Sequence, residues 1–250
     1  MSRDEALTKV PAITLGFWII KILATTLGET GGDAVSMSMN LGYLVGTGIF
    51  LVIFVAAVYA QIAARQFHPF LYWATIIAST TVGTTLADFA DRTLGIGYTG
   101  GSSLLLFLLL TSLFVWYRSL GSIDVTTVSS PRSEFYYWTT IMFSQTLGTA
   151  LGDWTADSMG LGYMGAALIF GGLLLGVVIA YLWTQISRTT LFWIAFVLTR
   201  PLGAVVGDFI DKPVVQGGLN MSRYSASAAL VALIMVLILV LPQRAAEKAS

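Results

Sequence analysis

The stretch WTTIMFSQTLGTALGDWTADSMGLGY, residues 138–163, carries the pattern on which the fold turns. Trp138 is followed ten residues on by Gly148, five later by Asp153, and nine later by Gly162 with Tyr163 beside it. The same frame opens at Trp18, Trp73 and Trp193. It places Gly28, Gly83 and Gly203, then Asp33, Asp88 and Asp208, then Gly42, Gly97 and Gly217. Tyr43 and Tyr98 repeat Tyr163, whereas Gly218 stands at that place in the last copy. The register holds without gaps, and repetition at such a period marks a chain assembled from one supersecondary unit. Successive copies are offset by 55, 65 and 55 residues. Leu-Gly-Tyr is shared at Leu41 and Leu161, and Asp-Phe-x-Asp at Asp88 and Asp208, the trace of a hairpin doubled and doubled again.

Composition says what surrounds this unit. Of 250 residues, 56% are hydrophobic and 10% charged, with mean hydropathy +0.80, which is outside the balance of soluble domains and marks an integral membrane protein. Thirteen basic residues meet thirteen acidic ones, so no net positive field attracts nucleic acid. Cysteine is absent and His68 is the single histidine, which removes disulfides, thiolate metal sites and histidine-rich zinc or copper centres. Any metal here is held by oxygen. Asp4, Glu5 and Lys21 interrupt the pattern of a cleaved signal peptide, so the first apolar segment is expected to stay as a membrane helix.

Each copy holds two apolar stretches of about 20 residues, enough to cross a bilayer core as helix. The expected architecture is an all-α polytopic membrane protein of eight transmembrane helices, roughly 13–34, 42–64, 69–90, 97–117, 134–154, 161–184, 190–210 and 223–241. They form one membrane domain of four tandem hairpins, 13–64, 69–117, 134–184 and 190–241, with a cytoplasmic linker at 118–133. Arg3, Lys9, Arg65, Arg118, Arg132, Arg188, Arg244 and Lys248 fall at the termini or between repeats. Only Arg92, Lys212 and Arg223 fall in the turns within repeats. Both termini therefore face the cytoplasm. An even number of spans per repeat makes all hairpins point the same way, with pseudo-symmetry about the membrane normal, unlike inverted-repeat transporters.

Eight of the thirteen acids sit in the repeat motif, as Glu29 with Asp33, Asp88 with Asp91, Asp153 with Asp157, and Asp208 with Asp211. Fifteen residues of helix, roughly 22 Å, separate each tryptophan from its Asp, which puts the Asp ring toward the outer side. Such carboxylates cannot all stay ionised in a low-dielectric site without protons, cations or basic partners. Oxygen-only ligands favour hard ions such as magnesium, calcium or manganese. The expected site uses Asp33, Asp88, Asp153 and Asp208 as primary metal ligands, with Glu29, Asp91, Asp157 and Asp211 as secondary ligands or proton acceptors. The alternative is structural, with Gly ending each helix and Asp making a turn.

Seven and eight residues before the Asp stand Thr25 and Thr26, Thr80 and Thr81, Gln145 and Thr146, and Arg200 and Pro201. Together with Glu29, Thr84 and Thr149 they form a narrow polar stripe that reads as the wall of a path. A separate face, Gly28 and Gly32, Gly83 and Ala87, Gly148 and Gly152, Gly203 and Gly207, has the small-xxx-small spacing of close helix contacts, placing the first helices centrally. Arg200, an arginine at membrane depth, is expected to be a counterion to the acids or an anion ligand. Lys21 is expected to snorkel to the cytoplasm, and the tryptophans to anchor at the interface.

The fourfold Trp-x9-Gly-x4-Asp-x8-Gly pattern resembles a bacterial family of membrane proteins built from four tandem two-helix repeats, catalogued as a repeat of unknown function. The resemblance covers residues 17–241 and implies this architecture and a bacterial inner-membrane location; it supplies no activity. Glu29-Thr30-Gly31-Gly32-Asp33 is also similar to the Glu-x-Gly-Asp-Lys/Arg-Ser/Thr motif of cation exporters, with an extra residue and without the basic and hydroxyl positions.

These readings converge on a proton-coupled transporter of a divalent or trivalent hard cation, with the ion as substrate and no covalently bound cofactor. Its partners are the bilayer, the transported ion and, left open, a second copy of the chain. A passive channel, an organic-ion or anion carrier using Arg200, and a non-transport scaffold or sensor stand as alternatives. An intramembrane aspartyl protease is disfavoured, because Gly152-Asp153 and Gly207-Asp208 lack the Gly-x-Gly-Asp motif; the chain is not expected to be an enzyme.

Overall fold

Helix boundaries follow from capping residues. Thr14 accepts a hydrogen bond from the Phe17 amide to open α1, Leu15–Asp33, and Ser130 with Ser133 forms a reciprocal cap at the start of α5, Pro131–Asp153. Proline at the first helical position, where its missing N–H costs nothing, likewise opens α3, Pro69–Asp88. The remaining helices are α2 Gly42–Ala63, α4 Tyr98–Leu120, α6 Gly162–Trp183, α7 Arg188–Asp211 and α8 Arg223–Val240. The computed structural model of the chain describes residues 8–246. Arg3, Asp4, Glu5 and Lys248, named above, lie outside the described residues.

The described residues are all-helical, with eight α-helices and no strand beyond an isolated bridge between Pro11 and Ala245. Six helices, α2, α3, α4, α6, α7 and α8, are long and apolar enough to cross a membrane. The outer helices turn their apolar side chains outward: Leu168 on α6 is 71% exposed and Leu239 on α8 is 70% exposed. A surface this apolar identifies a membrane protein. The first and fifth helices are less apolar because they carry Lys21, Glu29 and Asp33, or Ser144, Gln145 and Asp153, all of which are buried.

The inner helices α1, α3, α5 and α7 pack side by side in a closed ring, α7 returning to α1. The outer helices do not fold back on their own partners, as a simple hairpin would. Instead α2 packs on α3, α4 on α5, α6 on α7, and α8 on α1. Ser112 of α4 and Thr140 of α5 share a hydrogen bond at 3.0 Å, as do Thr30 of α1 and Ser227 of α8 at 2.9 Å. Each repeat therefore completes the next one, and the last completes the first.

Glycine sets the inner spacing. A Cβ on Gly28 would lie 2.4 Å from Thr80 Cγ2, on Gly83 2.9 Å from the Gln145 carbonyl carbon, on Gly148 2.3 Å from Arg200 Cγ, and on Gly203 2.1 Å from Thr25 Oγ1. The same motif glycine meets the same motif position of the next inner helix all round the ring. This is the small-residue contact face read from the sequence, and it lets the backbones approach closely.

One end of the bundle is knitted shut. Lys9 N donates to Val128 O, Thr8 Oγ1 to Val125 O, Ala12 N to Arg244 O and Ala246 N to Val10 O. The expected linker 118–133 is shorter in the structure, because α4 runs on to Leu120 and Pro131 opens α5. Lys9, counted as a basic residue of the cytoplasmic terminus, is buried, pairs with Glu134 at 2.7 Å and donates to the Gln61 and Ile62 carbonyls at the end of α2.

Candidate functional site

Five layers of four side chains fill the ring, one from each inner helix, at four-residue intervals along the repeat. From the linker end they are Phe17, Tyr72, Tyr137 and Phe192; then Lys21, Ile76, Ile141 and Phe196; then Thr25, Thr80, Gln145 and Arg200. Glu29, Thr84, Thr149 and Ala204 follow, and Asp33, Asp88, Asp153 and Asp208 end the series. All twenty are buried. Contacts between neighbouring inner helices hold the layers: the Tyr72 and Tyr137 hydroxyls meet at 2.6 Å, and the Lys21 ammonium stands 4.2 Å from the Phe196 ring.

Arg200 crosses the whole ring. Its Nη2 donates to Glu29 Oε2 at 2.9 Å on α1, to Thr84 Oγ1 at 2.5 Å on α3 and to Thr149 Oγ1 at 2.6 Å on α5, while Nη1 reaches the Thr25 carbonyl at 3.4 Å. One guanidinium thus bonds side chains of all three other inner helices through Nη2, while Nη1 is left to reach a backbone carbonyl. Removing one partner of such a buried pair leaves the other charge uncompensated, at a cost of about 3–5 kcal/mol.

On the turn side of Arg200 the four ring aspartates converge. Carboxylate oxygens of Glu29, Asp33 and Asp88 lie within 4.8 Å of one another, as do those of Glu29, Asp153 and Asp208, and those of Asp33, Asp208 and Asp211. Glu29 joins the first two groups, so one continuous cluster draws on all four repeats. Asp33, Asp88 and Asp153 are the last residues of α1, α3 and α5, yet their backbone stays αR and runs on into a π-helical turn rather than reversing there. Such turns are frequent at functional sites.

Three bases from the within-repeat turns reach into the cluster. Arg92 Nε lies 2.7 Å from Asp88 and its Nη2 3.3 Å from Asp153; Lys212 Nζ lies 2.5 Å from Asp33 and 2.9 Å from Asp208; Arg223 Nε lies 2.9 Å from Asp211. Six carboxylates, Glu29, Asp33, Asp88, Asp153, Asp208 and Asp211, thus face four bases, Arg200, Arg92, Lys212 and Arg223. Each carboxylate touches a base, but Arg92 and Lys212 are shared, so with all ten groups charged the cluster carries a formal excess of two negative charges. Lys212, beyond the end of α7, is held protonated above its ordinary range: burial opposes the charge, but Asp208 and Asp33 outweigh it.

The sequence-derived residues divide between those gathered here and those left apart. Asp211 joins the cluster with the five others. Asp157 is exposed, and Asp91 lies against Gly101 at the start of α4; neither belongs to a close carboxylate group among the described residues. The expected polar path is instead closed packing. Thr26, Thr81 and Thr146 turn their hydroxyls onto the carbonyls of Ile22, Ile77 and Met142 of their own helices, and Gln145 bonds Ser79 at 3.5 Å.

Lys21 does not snorkel; it is fully buried and its ammonium has no hydrogen-bond partner among the described residues. A desolvated cation–π contact contributes about 2 kcal/mol, against several kcal/mol for burying the charge. Trp73, Trp138 and Trp193 are core residues rather than interfacial anchors, with Trp193 Nε1 on the Ile123 carbonyl and Trp73 Nε1 on Gln243. Arg92, Lys212 and Arg223 were legible as the only bases of the turn side, yet nothing local says that they fold inward.

The repeat frame is matched by a family model described as a repeat of unknown function, DUF347, at residues 16–67, 71–122, 136–187 and 191–244. The chain belongs to this family. Each DUF347 unit holds one inner and one outer helix, so the unit of sequence is not the unit of packing, because each outer helix docks on the following DUF347 unit. No curated protein and no solved structure matches the chain.

Proposed function

We propose that this DUF347 protein is a transporter of a hard divalent cation in the inner membrane of a bacterium, exchanging one cation for two protons. All eight helices cross the bilayer, with approximate fourfold symmetry about the membrane normal. The linker and both ends of the chain lie on the cytoplasmic side, where Arg65, Arg118, Arg132, Arg188 and Arg244 collect. It is a carrier with no covalent chemistry of its own.

The observation that carries this reading is the charge balance of the cluster: six carboxylates, four bases and an excess of two negative charges. Two protons or one divalent cation neutralise that excess equally, which makes them competitors for one site. The donors are all oxygen, in close groups of three suited to ions such as magnesium, calcium or manganese. The way in is from the turn side, where the Arg92 side chain is 35% exposed. An arriving cation enters past Arg92 and is taken up by the close carboxylate groups while the four bases keep their partners, so that its two charges meet the excess of two. The packed layers from Arg200 down to Tyr72 favour alternating access over an open pore.

The test is cation uptake into proteoliposomes for a panel of magnesium, calcium and manganese, with a pH-sensitive dye inside. One of these ions is expected to drive opposite proton movement at two protons per ion. Asp88→Asn and Asp208→Asn each lower that flux by about tenfold or more, as loss of a ligand charge does. Equal flux in the parent and both variants would sink the carboxylate mechanism.

A further inference from the structure

The linker-side half of the axis holds a second polar group that the carboxylate cluster does not use. Lys21 Nζ, Thr80 Oγ1, Ser144 Oγ, Gln145 Oε1 and Arg200 Nε are buried and have no hydrogen-bond partner among the described residues. Every inner helix contributes at least one of them. Thr80, Gln145 and Arg200 occupy equivalent places in their repeats, Ser144 stands one residue earlier, and Lys21 lies one helical turn, about 5.4 Å, nearer the linker. The Lys21 ammonium rests on Phe196, four residues before Arg200 on the same helix. Gln145 reaches Ser79, next to Thr80. The aromatic layer closes this region toward the linker, and the Arg200 Nη groups close it toward the carboxylates.

So many orphaned polar atoms within about one turn of the inner helices point to a group that is not protein. Its chemistry follows from theirs. Glu29 already matches Arg200, whereas Lys21 forms no ion pair among the described residues. Water would satisfy the hydroxyls and leave the ammonium uncompensated. A monovalent anion satisfies both. The inner helices approach through Gly28, Gly83, Gly148 and Gly203, which limits the occupant to a small ion.

We infer that the axis carries a second site, for a halide-sized anion, formed by the Lys21 ammonium, Arg200 Nε–H and the Thr80 and Ser144 hydroxyls. The bound anion compensates Lys21 and fixes the Arg200 stem below the cation cluster. This site stands on the orphaned donors alone and does not depend on cation exchange.

The test uses the full chain in detergent, melted in sodium chloride and in sodium gluconate at equal ionic strength. Chloride is expected to raise the Tm saturably, by about 5–10 °C at 100-fold over its Kd. Lys21→Met loses that response without melting below the chloride-free parent, and Ser144→Ala shifts the response to higher chloride. Asp88→Asn keeps it, so failure of cation exchange is distinguishable from failure of the anion site. In crystals grown with bromide, an anomalous peak is expected between Lys21 and Ser144. Identical melting of the parent in chloride and gluconate, or an undiminished chloride response in Lys21→Met, overturns the inference.

Discussion

Gly148 and Gly31 are both mid-helix glycines, yet only Gly148 is pinned by a neighbour. A methyl on Gly148 would strike the Arg200 stem at 2.3 Å, whereas nothing lies within 4 Å of the same atom on Gly31. Gly148→Ala is therefore expected to destabilise the protein by about 1–3 kcal/mol through overpacking, and Gly31→Ala to stabilise it by roughly 0.5–1 kcal/mol through helix propensity. Denaturation of both variants in detergent measures the contrast; equal effects would remove Gly148 from the helix contact. Glu29→Ala leaves Arg200 charged and unpaired, an expected loss of about 3–5 kcal/mol, and adding Arg200→Met restores most of it. A double variant no more stable than Glu29→Ala would mean that Arg200 is not what Glu29 compensates. At this scale the sequence already exposed the special residues, because glycine, aspartate and arginine are conspicuous in an apolar helix. Their partners were hidden, since an ion pair such as Glu29–Arg200 joins positions 171 residues apart.

Among the elements, the linker shows most clearly what local reading misses. Its composition suggests a solvated connection, but Asp124 caps a 3-10 turn at Val125–Thr127, accepting from the Thr126 amide at 2.8 Å, the Thr126 hydroxyl at 2.7 Å and the Thr189 hydroxyl at 2.9 Å. Burial pushes the Asp124 carboxyl up, but these hydrogen bonds outweigh it and hold it below the usual carboxylate range. Its stabilisation is thus fully present above the ordinary value near pH 4 and fades as pH falls through the lower folded value. Hydrogen exchange at the Thr126 amide is expected to accelerate relative to its intrinsic rate over that acid window in the parent. Asp124→Asn should flatten the dependence, and an equally steep acid response in that variant would count against it. The segment around Lys9 belongs to the same structure: it is buried because the linker, the far end of the chain and α2 all supply partners.

For the molecule as a whole, the decisive feature is the order of docking around the ring. The chain has no cysteine, so introduced pairs can be cross-linked without background. A Cβ on Gly46 of α2 would lie 3.4 Å from Thr85 Cγ2 of α3, and Thr30 of α1 bonds Ser227 of α8. Gly46→Cys with Thr85→Cys, and Thr30→Cys with Ser227→Cys, are expected to form disulfides on mild oxidation, because each pair meets side chain to side chain across the helix contact. Failure of both pairs to cross-link in folded protein would refute the cyclic arrangement. Ser122→Cys and Asn220→Cys should be labelled by an impermeant reagent from opposite faces of sealed vesicles. Labelling from the same face would refute the two-sided topology.

The sequence by itself determined the repeat, the helices, their apolar surroundings and the four equivalent aspartates, because each of these is a periodicity along one strand of chain. It also separated the bases into two sets by position. Only the tertiary structure decided that each outer helix completes the next repeat, that Lys9 and Lys21 are buried, and that Arg92, Lys212 and Arg223 fold inward upon the acids. Those outcomes depend on which segments meet at which depth. The glycine contacts bring the inner helices close enough for a single arginine to bond three of them, and that closeness assembles one charge cluster from four separate motifs.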